Sequence, residues 1–244
     1  MEERLVLRPT NHLLLDIGNS RTKYAVFDGM NVDFSVDAVI DNHHLKTLIE
    51  LSDKVLLSSV GHQDQVNDIR LLCDNAGKTL FEAKTEADSF GIQCAYSIPQ
   101  NLGVDRWLAI LAARQLTLLP VAVIDLGTAA TCDIVIDKQH LGGWISPGFE
   151  LMRSALLENT QKVFGDKAVP DSLLFGDATA ECVNMGCLAS LQGLVLSAQQ
   201  RLQSQSDDHL IIVTGGNRQL IQKMSLKKTI FADNLVLKGL SLFI

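Results

Sequence analysis

The chain has 244 residues, 47% of them hydrophobic, enough to bury one large core or two smaller ones. A formal charge of −7 and a pI near 5.3 exclude a sequence-independent grip on DNA or RNA, which depends on Lys and Arg neutralising phosphates. The five cysteines, Cys73, Cys94, Cys132, Cys182 and Cys187, are odd in number and lack Cys-x-x-Cys spacing, so they indicate neither a disulfide framework nor a zinc site. They read instead as small residues in a reducing compartment. The N-terminus reaches Asp16 after only three leucines, with no signal-peptide core, and no apolar run has the length of a membrane span. A cytoplasmic protein with no membrane contact is expected.

Along the chain, short β-rich runs at 13–15, 24–27, 55–58, 121–124, 132–136 and 210–213 predict strands. Helices are predicted over 66–76, 105–118, 149–159 and 182–202. Strand hairpins with helices between them give a mixed α/β architecture rather than a simple alternating parallel sheet. The chain also repeats itself. Leu13-Leu14-Leu15 runs into Asp16-Ile17-Gly18-Asn19-Ser20, and Val121-Ala122-Val123-Ile124 runs into Asp125-Leu126-Gly127-Thr128-Ala129. Each is a buried strand ending in Asp-x-Gly, a polar turn, and a second strand closed by Asp28 or Asp137. Such a repeat implies two related lobes, placed here at residues 1–119 and 120–244, facing each other across a cleft.

The turns indicate what the cleft holds. Gly18 and Gly127 let the backbone approach an anion, so that successive N–H groups and the Ser20 or Thr128 hydroxyl can cup phosphate oxygens. Each loop also carries a carboxylate. Two like charges about 4 Å apart cost roughly 4 kcal/mol at an effective dielectric of 20, so a polyphosphate beside Asp16 and Asp125 needs cations between them. A nucleotide with Mg²⁺ is expected, with Asp16 holding the metal through water. A single Asp-x-Gly is an ordinary hairpin turn; two copies in matching context point to phosphate.

Leu102-Gly103-Val104-Asp105-Arg106-Trp107 opens a helix that is apolar nearly all round and hence buried. Asp105 suits the helix N-terminus as a simple first-turn anion. It also suits a proton acceptor for a substrate hydroxyl that attacks a γ-phosphate, with Arg106 fixing an anionic part of the same substrate. Two more segments read as loops built for close approach: Gly142-Gly143-Trp144-Ile145-Ser146-Pro147-Gly148, and Thr214-Gly215-Gly216-Asn217 after the strand at 210–213, a candidate wall for an adenine. The six histidines, His140 among them, are scattered and form no helical His-x-x-x-His pair.

In this order, Asp16-x-Gly-Asn-Ser20, Gly103-Val-Asp-Arg106, Asp125-x-Gly-Thr-Ala129, Gly142-Gly-Trp-Ile-Ser-Pro-Gly148 and Thr214-Gly-Gly216 resemble type III pantothenate kinase, across residues 13 to about 240. That family belongs to the acetate kinase, sugar kinase, Hsp70 and actin superfamily. The resemblance implies two duplicated ribonuclease H-like lobes with an ATP cleft between them. It also implies ATP-dependent phosphorylation of pantothenate, the first step of coenzyme A synthesis, in a homodimer. Carried over by position, Asp16, Ile17, Gly18, Asn19, Ser20, Arg21, Thr22, Lys23 and Thr128 contact ATP, and Asp105 is the general base. Tyr96, Gly103, Val104, Asp105, Arg106 and Thr179 contact pantothenate. Asp125 helps to bind a monovalent cation, K⁺ or NH₄⁺. Ser20 stands where threonine is usual but keeps the hydroxyl, and Ala25 stands where glycine is common.

Three other readings remain at this level. Another small-molecule kinase or a phosphatase of the superfamily would share the Asp-x-Gly loops. A nuclease would need clustered carboxylates for two metals and a basic track. A non-catalytic ATP-binding regulator would have no use for a base at Asp105.

Overall fold

The structure, a computed structural model, describes residues 11–18, 22–27, 32–33, 42–160, 168–224 and 226–244. The chain divides into two compact units. The first comprises Met1–Thr85, Leu102–Leu108 and Val236–Ile244; the second comprises Glu86–Asn101 and Ala109–Leu235.

The first unit is built on β1 (His12–Ile17), β2 (Thr22–Phe27), β3 (Val32–Asp33), β4 (Lys54–Ser59) and β5 (Thr79–Glu82), in the spatial order β3-β2-β1-β4-β5. β1 and β2 form an antiparallel hairpin, whereas β4 and β5 add in parallel, with α1 (Asn42–Leu51) leading into β4 and α2 (Gln63–Asn75) crossing from β4 to β5. Strand alternation sorts the side chains. Leu13, Leu15 and Ile17 of β1 and Val55 and Leu57 of β4 pack with Leu45 and Ile49 of α1 and Val66, Ile69 and Cys73 of α2. Burial pushes the Cys73 thiol up to about 11, which leaves it an inert part of this core. The other face carries Leu14, Leu56 and Phe81 and meets the C-terminal segment: Phe243 stacks on Phe81 with centroids 5.2 Å apart, and Lys54 Nζ donates to the Phe243 carbonyl at 3.0 Å.

The second unit repeats the plan. β8 (Val121–Leu126), β9 (Ala129–Ile136), β10 (Gln139–Pro147), β11 (Leu210–Thr214) and β12 (Thr229–Phe231) stand in the order β12-β11-β8-β9-β10, and β7 (Ile92–Gln93) and β6 (Asp88–Ser89) extend the sheet beyond β10. Strand for strand, β8 to β12 match β1 to β5 in order and direction, with β8 antiparallel to β9 and parallel to β11. The repeat seen in two sequence motifs therefore extends to the whole sheet. Phe149 of α4 (Phe149–Asn159) and Val183, Cys187, Leu191, Val195, Ala198 and Leu202 of α5 (Thr179–Gln203) cover Ile124, Cys132 and Val213. Their spacing of three and four places them on one stripe of α5.

The helix α3 (Val104–Leu116) passes from the first unit into the second after Leu108. α6 (Gln219–Gln222) follows β11, and α7 (Leu235–Leu240) returns the chain to the first unit. Among the described residues, no helix is long and apolar enough to cross a membrane.

The predicted strands and the helices at 149–159 and 182–202 fall within observed elements, whereas the helices read over 66–76 and 105–118 end earlier, at Asn75 and Leu116. One expectation is corrected: residues 142–147, read as a loop, belong to β10. A bulge between His140 and Gly142, with Gly142 at φ +101°, absorbs the glycine, and Pro147 sits at the strand end opposite Ala129.

Candidate active site

In the first unit, Asp16 lies near the end of β1 at 7% exposure, in register with Lys23 of β2 and Ser58 of β4. Ile17 pairs with Thr22, whose Oγ1 accepts from Gln65 Nε2 at 3.1 Å, and Gly18 follows the strand. The hairpin thus holds both ends of the predicted phosphate loop; Asn19, Ser20 and Arg21 lie outside the described residues, as does Asp28.

The start of α3 belongs to the same unit. The Gly103 carbonyl accepts the first helical bond, from Trp107 N–H at 3.1 Å, and the Asp105 carboxylate accepts the Arg106 backbone N–H at 2.8 Å. These bonds satisfy N-terminal groups that a helix leaves unpaired. The Asp105 side chain also folds back over Gly103, so that a Cβ at residue 103 would stand 2.6 Å from Asp105 Oδ1. Arg106 is 7% exposed and Trp107 is fully buried, which pins this turn. The glycine is the space in which the carboxylate sits. Gly103→Ala is expected to fold with a melting temperature near that of the parent, because a carboxylate end can swing aside, yet to lower kcat by as much as about 10² by displacing Asp105. Steady-state kinetics beside a thermal melt checks this.

In the second unit, Asp125 lies near the end of β8, and its Oδ1 is flanked by two bare Cα positions. A Cβ at Gly127 would lie 3.5 Å from that oxygen and one at Gly215, where φ is +95°, only 2.5 Å away. The Thr128 carbonyl accepts the Gly148 N–H at 2.8 Å, and a Cβ at Gly148 would lie 2.2 Å from the Gly127 carbonyl oxygen. Asn217 closes the other side, its N–H donating to Leu126 O at 2.8 Å and its Nδ2 to Gly127 O at 3.4 Å. Three motifs far apart in sequence, 125–129, 142–148 and 214–217, thereby form one knitted loop cluster. Glycine at 148 and 215 permits the backbones to touch.

Of the predicted substrate residues in this unit, Tyr96 is half-buried and stacks on His140, with centroids 6.3 Å apart and planes 13° off parallel, while Thr179 is exposed at the first position of α5. His140 gave no functional signal in the sequence. The fold buries it beside Asp133, with Nε2 2.9 Å from Asp133 Oδ1. Among the described residues no group of three or more His, Cys, Asp and Glu side chains could hold a metal ion. The donor set at each loop is one carboxylate with adjacent backbone, which fits Mg²⁺ or a monovalent cation completed by phosphate oxygens and water.

A sheet repeated in the order 3-2-1-4-5, with an Asp-x-Gly hairpin on the first two strands of each copy, defines the duplicated ribonuclease H-like fold of actin-like ATPases and sugar kinases. A Baf family protein of Campylobacter jejuni has a similar crystal structure, with a TM-score of 0.59 at 20% identity, covering 95% of this chain and 96% of that one. The family model for type III pantothenate kinase matches residues 12–201. A type III pantothenate kinase of Pseudoalteromonas atlantica is 43% identical over 94% of this chain and 96% of its own length. One from Pseudoalteromonas translucida is 35% identical over 94% of each. The chain belongs to the type III pantothenate kinase family.

Proposed function

We infer that this protein phosphorylates pantothenate with ATP to give 4'-phosphopantothenate, the first step of coenzyme A synthesis. The observation that carries the reading, within this family, is the Asp105 carboxylate held over Gly103 at the start of α3. Asp105 takes the proton from the substrate hydroxyl as its oxygen forms a bond to the γ-phosphorus. The bond from that phosphorus to the β,γ-bridging oxygen breaks, ADP leaves, and the proton passes from Asp105 to solvent. Phosphoryl transfer runs through a loose transition state, so a helix-start carboxylate of modest basicity suffices when it is well placed.

The stretch from Asp16 to Lys23 and Thr128 hold the polyphosphate through backbone N–H groups and hydroxyls. Asp16 would hold Mg²⁺ through water, and Asp125, whose Oδ1 lies beside Gly127 and Gly215, would take K⁺ or NH₄⁺. Held by Asp16 and Asp125, such cations would screen the phosphate chain from the two carboxylates and supply positive charge to the transferred group. Arg106 pairs with the pantothenate carboxylate, and Gly103, Val104, Tyr96 and Thr179 complete the contacts. The enzyme works in the cytoplasm as a homodimer. Exposed apolar side chains at Leu173, Leu174 and Phe175, the last at 106% exposure, support a protein partner for that surface.

The test is ADP release from ATP and Mg²⁺ with and without pantothenate, run in parallel in potassium and sodium buffers. Pantothenate-dependent ADP that rises with K⁺ is expected. ATP binding without any pantothenate dependence would move the chemistry to another substrate or to a regulatory role.

A further inference from the structure

Asp133 and His140 are ionisable groups that the reaction above does not use, yet they are buried at 2% and 0% exposure on the sheet face opposite α5. A buried carboxylate–imidazole pair in such a place adds little net stability over apolar residues of the same volume, so packing alone gives no reason for it. Its hydrogen bonds give one. The Ala95 N–H donates to His140 Nδ1 at 3.4 Å. Nε2–H then donates to Asp133 Oδ1 at 2.9 Å. With both nitrogens engaged, the ring can neither flip nor tilt without breaking a buried bond. Against this fixed ring lies the ring of Tyr96, nearly parallel and offset. One imidazole therefore holds the backbone of residue 95 and faces the side chain of residue 96.

We propose that the Asp133–His140 pair is a platform that fixes Tyr96 in the orientation in which it contacts pantothenate, so that His140 is a positioning residue for substrate affinity. This deepens the substrate-contact reading of Tyr96 and rests on it. Tyr96 and Tyr24 are the two tyrosines of the chain, so full-length Tyr24→Phe enzyme labelled with 3-fluorotyrosine reports Tyr96 alone by ¹⁹F NMR. Pantothenate is expected to shift that resonance. In the otherwise unsubstituted chain, His140→Gln keeps a donor for Asp133 but removes the ring. It is expected to raise the KM for pantothenate about three- to tenfold, to leave the KM for ATP and kcat within about twofold, and in labelled protein to broaden the Tyr96 line. Asp133→Asn still accepts the Nε2–H and should keep the parent KM.

An unchanged pantothenate KM in folded His140→Gln, or an equal rise in both KM values, would overturn the platform while leaving the Tyr96 contact standing. A Tyr96 line that pantothenate does not move, in enzyme that releases ADP with pantothenate, would remove the contact and the platform with it. If His140→Gln does not fold, the free parent protein decides: a narrow line at the solvent-exposed tyrosine shift overturns the proposal, and a shifted line supports it.

Discussion

Asp105→Asn is expected to lower turnover by about 10² to 10⁴ while leaving ATP affinity nearly unchanged. Asparagine matches aspartate in shape, and its side-chain oxygen can still accept the Arg106 N–H that the carboxylate now takes at 2.8 Å. The first turn of α3, braced by buried Trp107 and by the Gly103 carbonyl, keeps its geometry. What disappears is the ability to accept a proton. Because that ability matters only as the hydroxyl attacks, kcat and kcat/KM should fall together, with no compensating change in the KM for pantothenate. ATP binding, measured by calorimetry on the same preparation, separates a lost base from a damaged site. Unchanged turnover would end the general-base role.

Gly239→Ala, by contrast, is expected to act far from the chemistry and to destabilise the first unit by at least about 2 to 3 kcal/mol. Gly239 sits in α7, where a Cβ would lie 2.0 Å from the Leu108 carbonyl oxygen and 2.9 Å from its Cα. Both contacts are with backbone, so no side chain can swing aside. Relief requires α7 to move off α3, and Leu235, Leu237 and Leu240, all essentially unexposed, would lose packing with it. A fall in melting temperature of roughly 5 to 10 °C follows for a chain of this size. A melt within a degree of the parent would show that the two helices can separate freely.

The sequence disclosed those parts of this molecule whose signals are local. Asp16-x-Gly18 and Asp125-x-Gly127 were readable because a strand, a tight turn and a carboxylate lie within a few residues, and their repetition announced the duplicated sheets. The beginning of α3 was readable for the same reason. β10 was not: Gly142, Gly143 and Pro147 are residues that usually interrupt strands, and only a bulge and a strand-end position for Pro147 reconcile them with pairing to β9. α7 is too short to show a helical period. The Asp133–His140 pair was hidden because it depends on register. The two residues lie on opposite strands of a hairpin whose turn holds Asp137 at φ +52°, and the pairing shifts at the bulge immediately after His140. Spacing in the sequence carries no trace of that. The loop cluster of 125–129, 142–148 and 214–217 likewise shows only as separate glycine-rich pieces until β8, β9, β10 and β11 lie side by side.

The return of Val236–Ile244 to the first unit sets an order of events during synthesis. The five strands of that unit's sheet are made early, yet the face bearing Leu14, Leu56 and Phe81 gains Phe243 only after residues 236–244 leave the ribosome. The second unit has its own strands in hand by residue 231. The unit whose sheet is translated earlier is therefore completed after the other has its strands, and until then its apolar face needs shelter from other nascent chains.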